Sequence, residues 1–548
     1  MKKYFLEIKW LLILQMIFDV LFAATNAAVP ALQKLLLDIF TVKEGERHLS
    51  LLMIILLYIA CIIFGAVFSY LDMYFSWKSS LKFEMLLKRD FFRSVFSYNY
   101  EEFSSRDVGE YISIQGNDIT ELEQDYITPI IDMFKSFCQI VVYSVFIFKF
   151  VDYRISIVIV VGTIISVFIP KLLSKSLASR RSRYLDQIGI YVSRIKDFLE
   201  GFKIINRRTR DKINHEHEKV LIETRKLRFK YGKFKTLAIT VESLSINAVG
   251  MSAFIMSAIL LMNHEITVGV CVAAFGYVNN FISPVDGFIY GFNLIGSLTG
   301  VKNKVLSFIN NGEQEKLNVK KDFKKDIVFE NVSFKYNNFD VKNLNLKFEK
   351  GKKYAVIGHN GCGKSTLINL LMKYLTIESG TIKIDGEDVR NIDTADIMYC
   401  VNQNDHIFSD NFINNATVYL SYLKKNAERI ASQLNVKAIN AIKSTSDCQK
   451  LSGGEKQILA IVRALSSQTK ILLMDEPFAA VDVKTTETAE DYLLNICDKT
   501  IVMVTHNLNE SLNRFDEIIM MKDGQVINKG TYDEISKTDE YKKLINNK

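Results

Sequence analysis

The sequence predicts a membrane α-helical bundle followed by an α/β domain built around a phosphate-binding loop. Three observations predict it. Residues 1–300 hold long apolar runs almost free of charge, residues 320–548 read like an ordinary α/β domain, and "GHNGCGKST" at 358–366 lies between a buried-strand pattern and a helix pattern. A chain of 548 residues is long enough for at least two domains. We divide it into a transmembrane domain at 1–310, a linker at 311–326 and a second domain at 327–548.

A spanning helix needs about 20 mainly apolar residues. Six stretches qualify: approximately 11–38, 51–76, 130–150, 155–174, 239–262 and 267–293. The start, "MKKYFLEIKWLLILQMIFDVLFAATNA", has the look of a signal peptide, but the apolar pattern continues past Ala28 and reads as a first span. The connections after spans two and four are long and basic, with 19 Lys and Arg between Lys171 and Lys235. The three short connections hold few, so the positive-inside rule puts the long segments and both termini in the cytoplasm. The net charge of +8 is therefore read as a topology signal, and no nucleic-acid partner is expected.

The long connections carry apolar residues at helical spacing, as in "YLDQIGIYVSRIKDFLEGFKII". They are expected to extend the spanning helices and to turn at polar tips near 109–122 and 206–214. Asp19, Asn26, Asn279, Asn280 and Asp286 fall inside the spans. Such residues mark either a substrate pathway or a helix–helix hydrogen bond. Pro284 is expected to bend the last span. Seven scattered cysteines without a CxxC pair predict free thiols facing a reducing compartment.

In the second domain, "KKYAVIG" is a buried strand, the loop 358–366 follows, and "LINLLMKYL" continues as a helix. This is the context a phosphate loop requires. The N–H groups of Gly361, Cys362 and Gly363 can face phosphates at the helix N-terminus, Lys364 can reach the β- and γ-phosphates, and Ser365 can bind Mg²⁺. "KILLMDEP" is an apolar strand ending in two acids: Asp475 is placed to hold Mg²⁺ and Glu476 to activate water. "TIVMVTHN" ends at His506, on the same rim of a parallel sheet. Gln403 also follows a short strand and can sense metal and water. "LSGGEKQ" at 451–457 is a second glycine-rich, helix-opening stretch with no nucleophile or base.

Taken together, these motifs resemble an ATP-binding cassette (ABC) half-transporter of the exporter type over nearly the whole chain. The resemblance implies a P-loop ATPase domain with a helical subdomain, and ATP and Mg²⁺ as cofactors. It implies that Tyr336 stacks on adenine and that Gly358, Asn360 and Thr366 complete the phosphate loop. In the family, Ser452, Gly453, Gly454 and Gln457 of the signature, and Asp482 of "AAVD", serve the ATP of a second cassette. A partner half-transporter is then required, and a homodimer is expected because Glu476, His506 and the signature are all kept. The resemblance also implies helix tips docked into the cassettes, a cell-membrane location, and export of a peptide, lipid or amphipathic molecule by alternating access. Import, as of siderophores, and a regulatory membrane ATPase without cargo are the alternatives. The chain departs from the family at "STSDCQK" (444–450), where a Gly/Glu-rich segment is usual, and at Ala-Ala-Val-Asp for Ser-Ala-Leu-Asp.

Overall fold

The computed structural model describes residues 1–39, 50–311, 317–336, 339–434, 436–508 and 510–546. The chain forms two compact units: residues 1–96 with 108–312, and residues 97–107 with 313–548.

The first unit is made of long helices: α1 (Lys2–Asp38), α2 (Leu51–Val95), α3 (Val108–Phe150), α4 (Tyr153–Glu200), α5 (Arg210–Met262) and α6 (Val268–Ser297). Local chemistry sets their starts. Ser50, Asp152 and Thr267 each turn a side-chain oxygen onto an N–H of the first turn, opening α2, α4 and α6. Among the described residues, five of the six helices are long and apolar enough to cross a membrane. In α4 the apolar helix counted is Tyr153–Ser166.

The core of this unit lies among α1, α3, α4, α5 and α6, around Ala27, Tyr143, Ile147, Ile155, Ala273 and Tyr277. Close approach there relies on a missing side chain: a Cβ on Gly276 would lie 2.9 Å from Cγ of Pro30. By contrast, α2 leaves Leu52, Ile62, Ile63 and Phe64 exposed. That apolar surface has no protein cover among the described residues and suits lipid.

The polar residues expected inside the spans separate into three kinds. Asn26 Nδ2 donates to Tyr143 Oη at 3.0 Å, and Tyr277 Oη donates to the Ala27 carbonyl at 2.8 Å, so Asn26 serves helix packing. Asn279 and Asp286 are exposed on α6, and Asn280 is half-buried. Asp19 is buried beside Asp72 and Lys135.

The expected first tip is corrected. Residues 109–122 do not turn; they run helically through π-type turns at Ile114–Asp118 and Glu123–Ile127. The reversal lies earlier, where Asn99 caps a short helix, Tyr100–Ser104, by accepting from the Glu102 N–H at 2.7 Å. Gly116 and Asn117 are turn-prone in isolation, but neighbouring Ile114, Ile119 and Leu122 are fully buried and hold the segment helical. The second reversal lies at 201–209, before α5 begins at Arg210, and so overlaps the expected tip only in part.

The second unit is an α/β domain. Its central sheet has six strands: β1 (Lys353–Gly358), β2 (Met398–Val401), β3 (Ile471–Asp475), β4 (Thr500–Val504), β5 (Glu517–Lys522) and β6 (Gln525–Gly530). They lie in the order β6-β5-β1-β4-β3-β2, parallel except for the β5–β6 hairpin. β1 and β4 are buried at every position, as a parallel sheet covered on both faces requires. An antiparallel sheet containing Asp326–Tyr336, Phe339–Glu349 and Ser379–Ile384 packs with it through Phe329, Phe348 and Tyr354. Short helices at 412–444 pack on the helix Gly453–Ser466, forming the expected helical subdomain. Residues 97–107 belong to this unit: the rings of Tyr100 and Tyr374 lie 4.5 Å apart, and Thr376 Oγ1 donates to Glu101.

Candidate functional site

The ends of β1, β3 and β4 meet on one rim, and each carries one part of the site. After β1, the loop 358–366 opens into the helix Lys364–Leu371. Gly358 must be glycine because a Cβ there would press on the Met521 carbonyl and lie 2.7 Å from Cys362 Sγ. Gly363 takes φ of 104° at the helix N-cap, a left-handed conformation that side chains avoid. Lys364 is 5% exposed, and its Nζ donates to the carbonyls of Gly358 and His359 at 3.0 Å each. The ammonium thus lies folded against its own loop. Asn360, Gly361 and Ser365 are exposed, Thr366 is half-buried, and Cys362 is buried, which pushes its thiol up.

After β3, Asp475 lies near Ser365, whose hydroxyl works to lower its carboxyl. Burial raises its carboxyl above the usual carboxylate range, with the neighbouring Glu476 adding to the rise. Its Oδ1 is buried with no hydrogen-bond partner among the described residues. An orphaned carboxylate oxygen beside a hydroxyl at the phosphate loop fits a hard, oxygen-seeking cation such as Mg²⁺. Ser365 and Asp475 would hold that ion, with phosphate oxygens and Gln403 as the further ligands expected.

Glu476 adopts φ of 49°, rare for a residue with a side chain, and its N–H donates to the Val504 carbonyl at 3.1 Å. This backbone turns its carboxylate into the site. Oε2 accepts from Gln403 Nε2 at 3.0 Å, and Oε1 lies 2.6 Å from His506 Nε2. The three residues expected to handle water and γ-phosphate therefore converge on one carboxylate. Glu476 and His506 also border a cleft of about 810 Å³.

The stretch 451–457 is a helix opening of high regularity. Ser452 and Glu455 form a reciprocal cap, with the Glu455 carboxylate accepting from the Ser452 N–H at 2.8 Å. Gly454 lacks room for a Cβ, which would lie 2.7 Å from the Ala480 carbonyl. Gln457 is 9% exposed and bridges two loops: its Nε2 donates to the Gln403 carbonyl at 3.2 Å and its Oε1 accepts from the Ala480 N–H at 2.9 Å. Asp482 caps the next helix by accepting from the Thr485 N–H at 3.0 Å, which holds its carboxyl below the usual range. The Tyr336 backbone ends the strand Asp326–Tyr336, while its side chain lies outside the described residues.

One supporting residue escaped the sequence reading. Arg463 is 6% exposed inside the signature helix, and donates to the Asn415 carbonyl at 2.8 Å, Asn415 Oδ1 at 3.2 Å and the His406 carbonyl at 2.8 Å. It ties the segment after Gln403 to the helix that carries Ser452 and Gln457. A cation inside the run "ILAIVRAL" was the available signal, because a buried charge must be fully partnered.

Comparisons with known proteins agree with this arrangement. The model of the ABC transporter transmembrane region matches residues 12–285, and the ABC transporter model matches 341–479. The ATP-dependent lipid A-core flippases of Escherichia coli (strain K12) and Shigella sonnei (strain Ss046) are 31% identical over 253 and 251 residues. Each alignment covers 42% of this chain and 43% of the relative. A solved structure of a bacterial Atm1-family ABC exporter with ATP bound superposes with a TM-score of 0.82, at 18% identity and 98% coverage of both chains. The fold is that of an exporter-type half-transporter, and the chain belongs to the ABC transporter family.

Proposed function

We propose that the chain is an ATP-driven membrane transporter that works as a homodimer and exports an amphipathic molecule, lipid or peptide. The observation that carries this reading is the convergence of Gln403 and His506 on Glu476, beside Asp475 and the phosphate loop. Glu476 takes a proton from water attacking the γ-phosphate, His506 and Gln403 hold that carboxylate and the water in line, and Lys364 leaves its loop carbonyls for the β- and γ-phosphates. Ser365 and Asp475 would hold Mg²⁺, which when bound would supply neutralisation of phosphate charge. Ser452, Gly453 and Gly454 close over the nucleotide of the partner subunit, so ATP joins two cassettes and hydrolysis releases them. The termini and the ATPase domain face the cytoplasm, on the charge asymmetry of the connections.

The deciding test measures ATP hydrolysis by the purified chain alone, across ATP concentrations, beside Glu476→Gln. We expect cooperative hydrolysis that falls at least about 100-fold in the variant while nucleotide binding persists. A well-folded chain that hydrolyses nothing without a second protein would overturn the homodimer.

A further inference from the structure

One polar cluster in the membrane unit joins α1, α2 and α3 and leaves two buried acceptors that neither ATP chemistry nor helix packing uses. Gln15 and Asp19 lie four residues apart on α1, hence on one face, and are 2% and 1% exposed. Asp72, on α2, is 1% exposed and forms the ion pair with Lys135; Gln15 Nε2 donates to it at 3.4 Å. Lys135 Nζ comes only within 3.9 Å of Asp19 Oδ1, too far for a hydrogen bond. Two buried carboxyl groups thus lie against each other and share one ammonium, which is hydrogen-bonded by Asp72 and at ion-pair distance from Asp19. Gln15 Oε1 and Asp19 Oδ1 accept nothing among the described residues.

Both side chains line a cavity of about 390 Å³ whose other walls include Met16, Phe134, Phe137 and Phe288. Two unmet acceptors, one of them a carboxylate, at the wall of an aromatic cavity call for a donor that is also a cation and carries an apolar body. A buried carboxylate that no cation hydrogen-bonds is incompletely compensated, and aromatic faces favour a neighbouring cation. An anionic amphiphile would meet like charge there, and a neutral apolar molecule would leave both acceptors unmet. We infer that Asp19 and Gln15 form the polar end of a binding site for an amphipathic ammonium or guanidinium compound, its apolar part in the Phe134–Phe137–Phe288 cavity. Identifying this ligand as cargo rests on the transport reading; the binding itself does not.

The test uses the full chain in lipid nanodiscs and three probes sharing one apolar body: 1-adamantylamine, 1-adamantanol and 1-adamantanecarboxylate. Equilibrium dialysis against protein-free nanodiscs reads binding. We expect the amine to bind at least about tenfold more tightly than the alcohol, and the carboxylate not to saturate. Asp19→Asn should bring the amine down to the alcohol, and Phe137→Ala should weaken amine and alcohol alike. Should Asp19→Asn yield no folded chain, Gln15→Met must lower the amine preference instead. Equal binding of amine and alcohol by the wild-type chain, or an undiminished preference in Asp19→Asn, would overturn the site. Glu476→Gln should bind the amine as the wild type does. Asp19-dependent binding without ATP-dependent movement of the amine would uphold the site and sink the transport reading.

Discussion

Buried charge is handled differently in the two units. In the ATPase unit, Arg463 and Lys353 are buried cations whose donors end on backbone carbonyls and, for Arg463, also on the Asn415 side-chain oxygen. Arg463 reaches Asn415 and His406, and Lys353 reaches Gly351 at 3.0 Å and Ile496 at 2.8 Å. These networks are closed and hold loops to the sheet and the signature helix. In the membrane unit, Asp19 faces a cavity with an oxygen unmet. The ATPase unit has its own counterpart in Asp475 Oδ1, also orphaned, at the place where the family motif expects a metal ion. An open acceptor beside a cavity or loop is a place for a ligand, whereas a closed one is a place for the fold.

That contrast is breakable by substitution. Arg463→Met removes the donors to three acceptors at once and should destabilise the ATPase domain by on the order of 3 kcal/mol. The drop would appear as a lower melting temperature of the full chain and as lost ATP hydrolysis. Asp19→Leu removes a charge with no donor of its own on Oδ1, so the same melting measurement should show no loss or a gain of about 1 kcal/mol. If Asp19→Leu destabilised as strongly as Arg463→Met, the cluster would be structural and the distinction would fail.

A smaller effect tests the closed pairs within the membrane unit. Tyr143→Phe removes the acceptor of Asn26 Nδ2 at constant shape, and about 1 kcal/mol of stability should go with it. Changing Asn26 to Leu in the same chain should cost less than a second such increment, because the pair is then gone from both sides. Additive losses would mean that the two side chains act independently.

The motifs were legible because their chemistry is local. A strand, a glycine loop and a helix follow one another at 353–371, and Asp475–Glu476 and His506 each end an apolar strand. Spacing alone could place them on one rim, but not show Glu476 as the carboxylate to which Gln403 and His506 both turn. Long-range pairings were hidden for the same reason. Gln457 meets Gln403 and Ala480 across loops, and Lys135 meets Asp72 across helices. Gln15 and Asp72 looked unremarkable in sequence, since their partners are set by packing. The first helix reversal was misplaced because Gly116 and Asn117 carry turn propensity that buried neighbours override, while Asn99 caps the real one.

The least of the expected effects comes from Lys499, and it tests the closed class on its sign. Its Nζ donates to the Thr469 carbonyl, and burial lowers its pKa to about 8 from an ordinary 10.5, with Lys470 lowering it further and Asp498 opposing. The unfolded chain then holds more protons than the folded one between those two values, so stability must rise with pH through that window. Below about 8 both states are protonated and the cost of the buried ammonium is paid in full. Raising the pH from 7 to 8.5 should therefore stabilise the ATPase domain by on the order of half a kcal/mol, and Lys499→Met should abolish that gain. A pH slope of the opposite sign, or one untouched by Lys499→Met, would show that carbonyls alone hold this ammonium at no cost, and would move Lys499 from tolerated burial to net support of the fold.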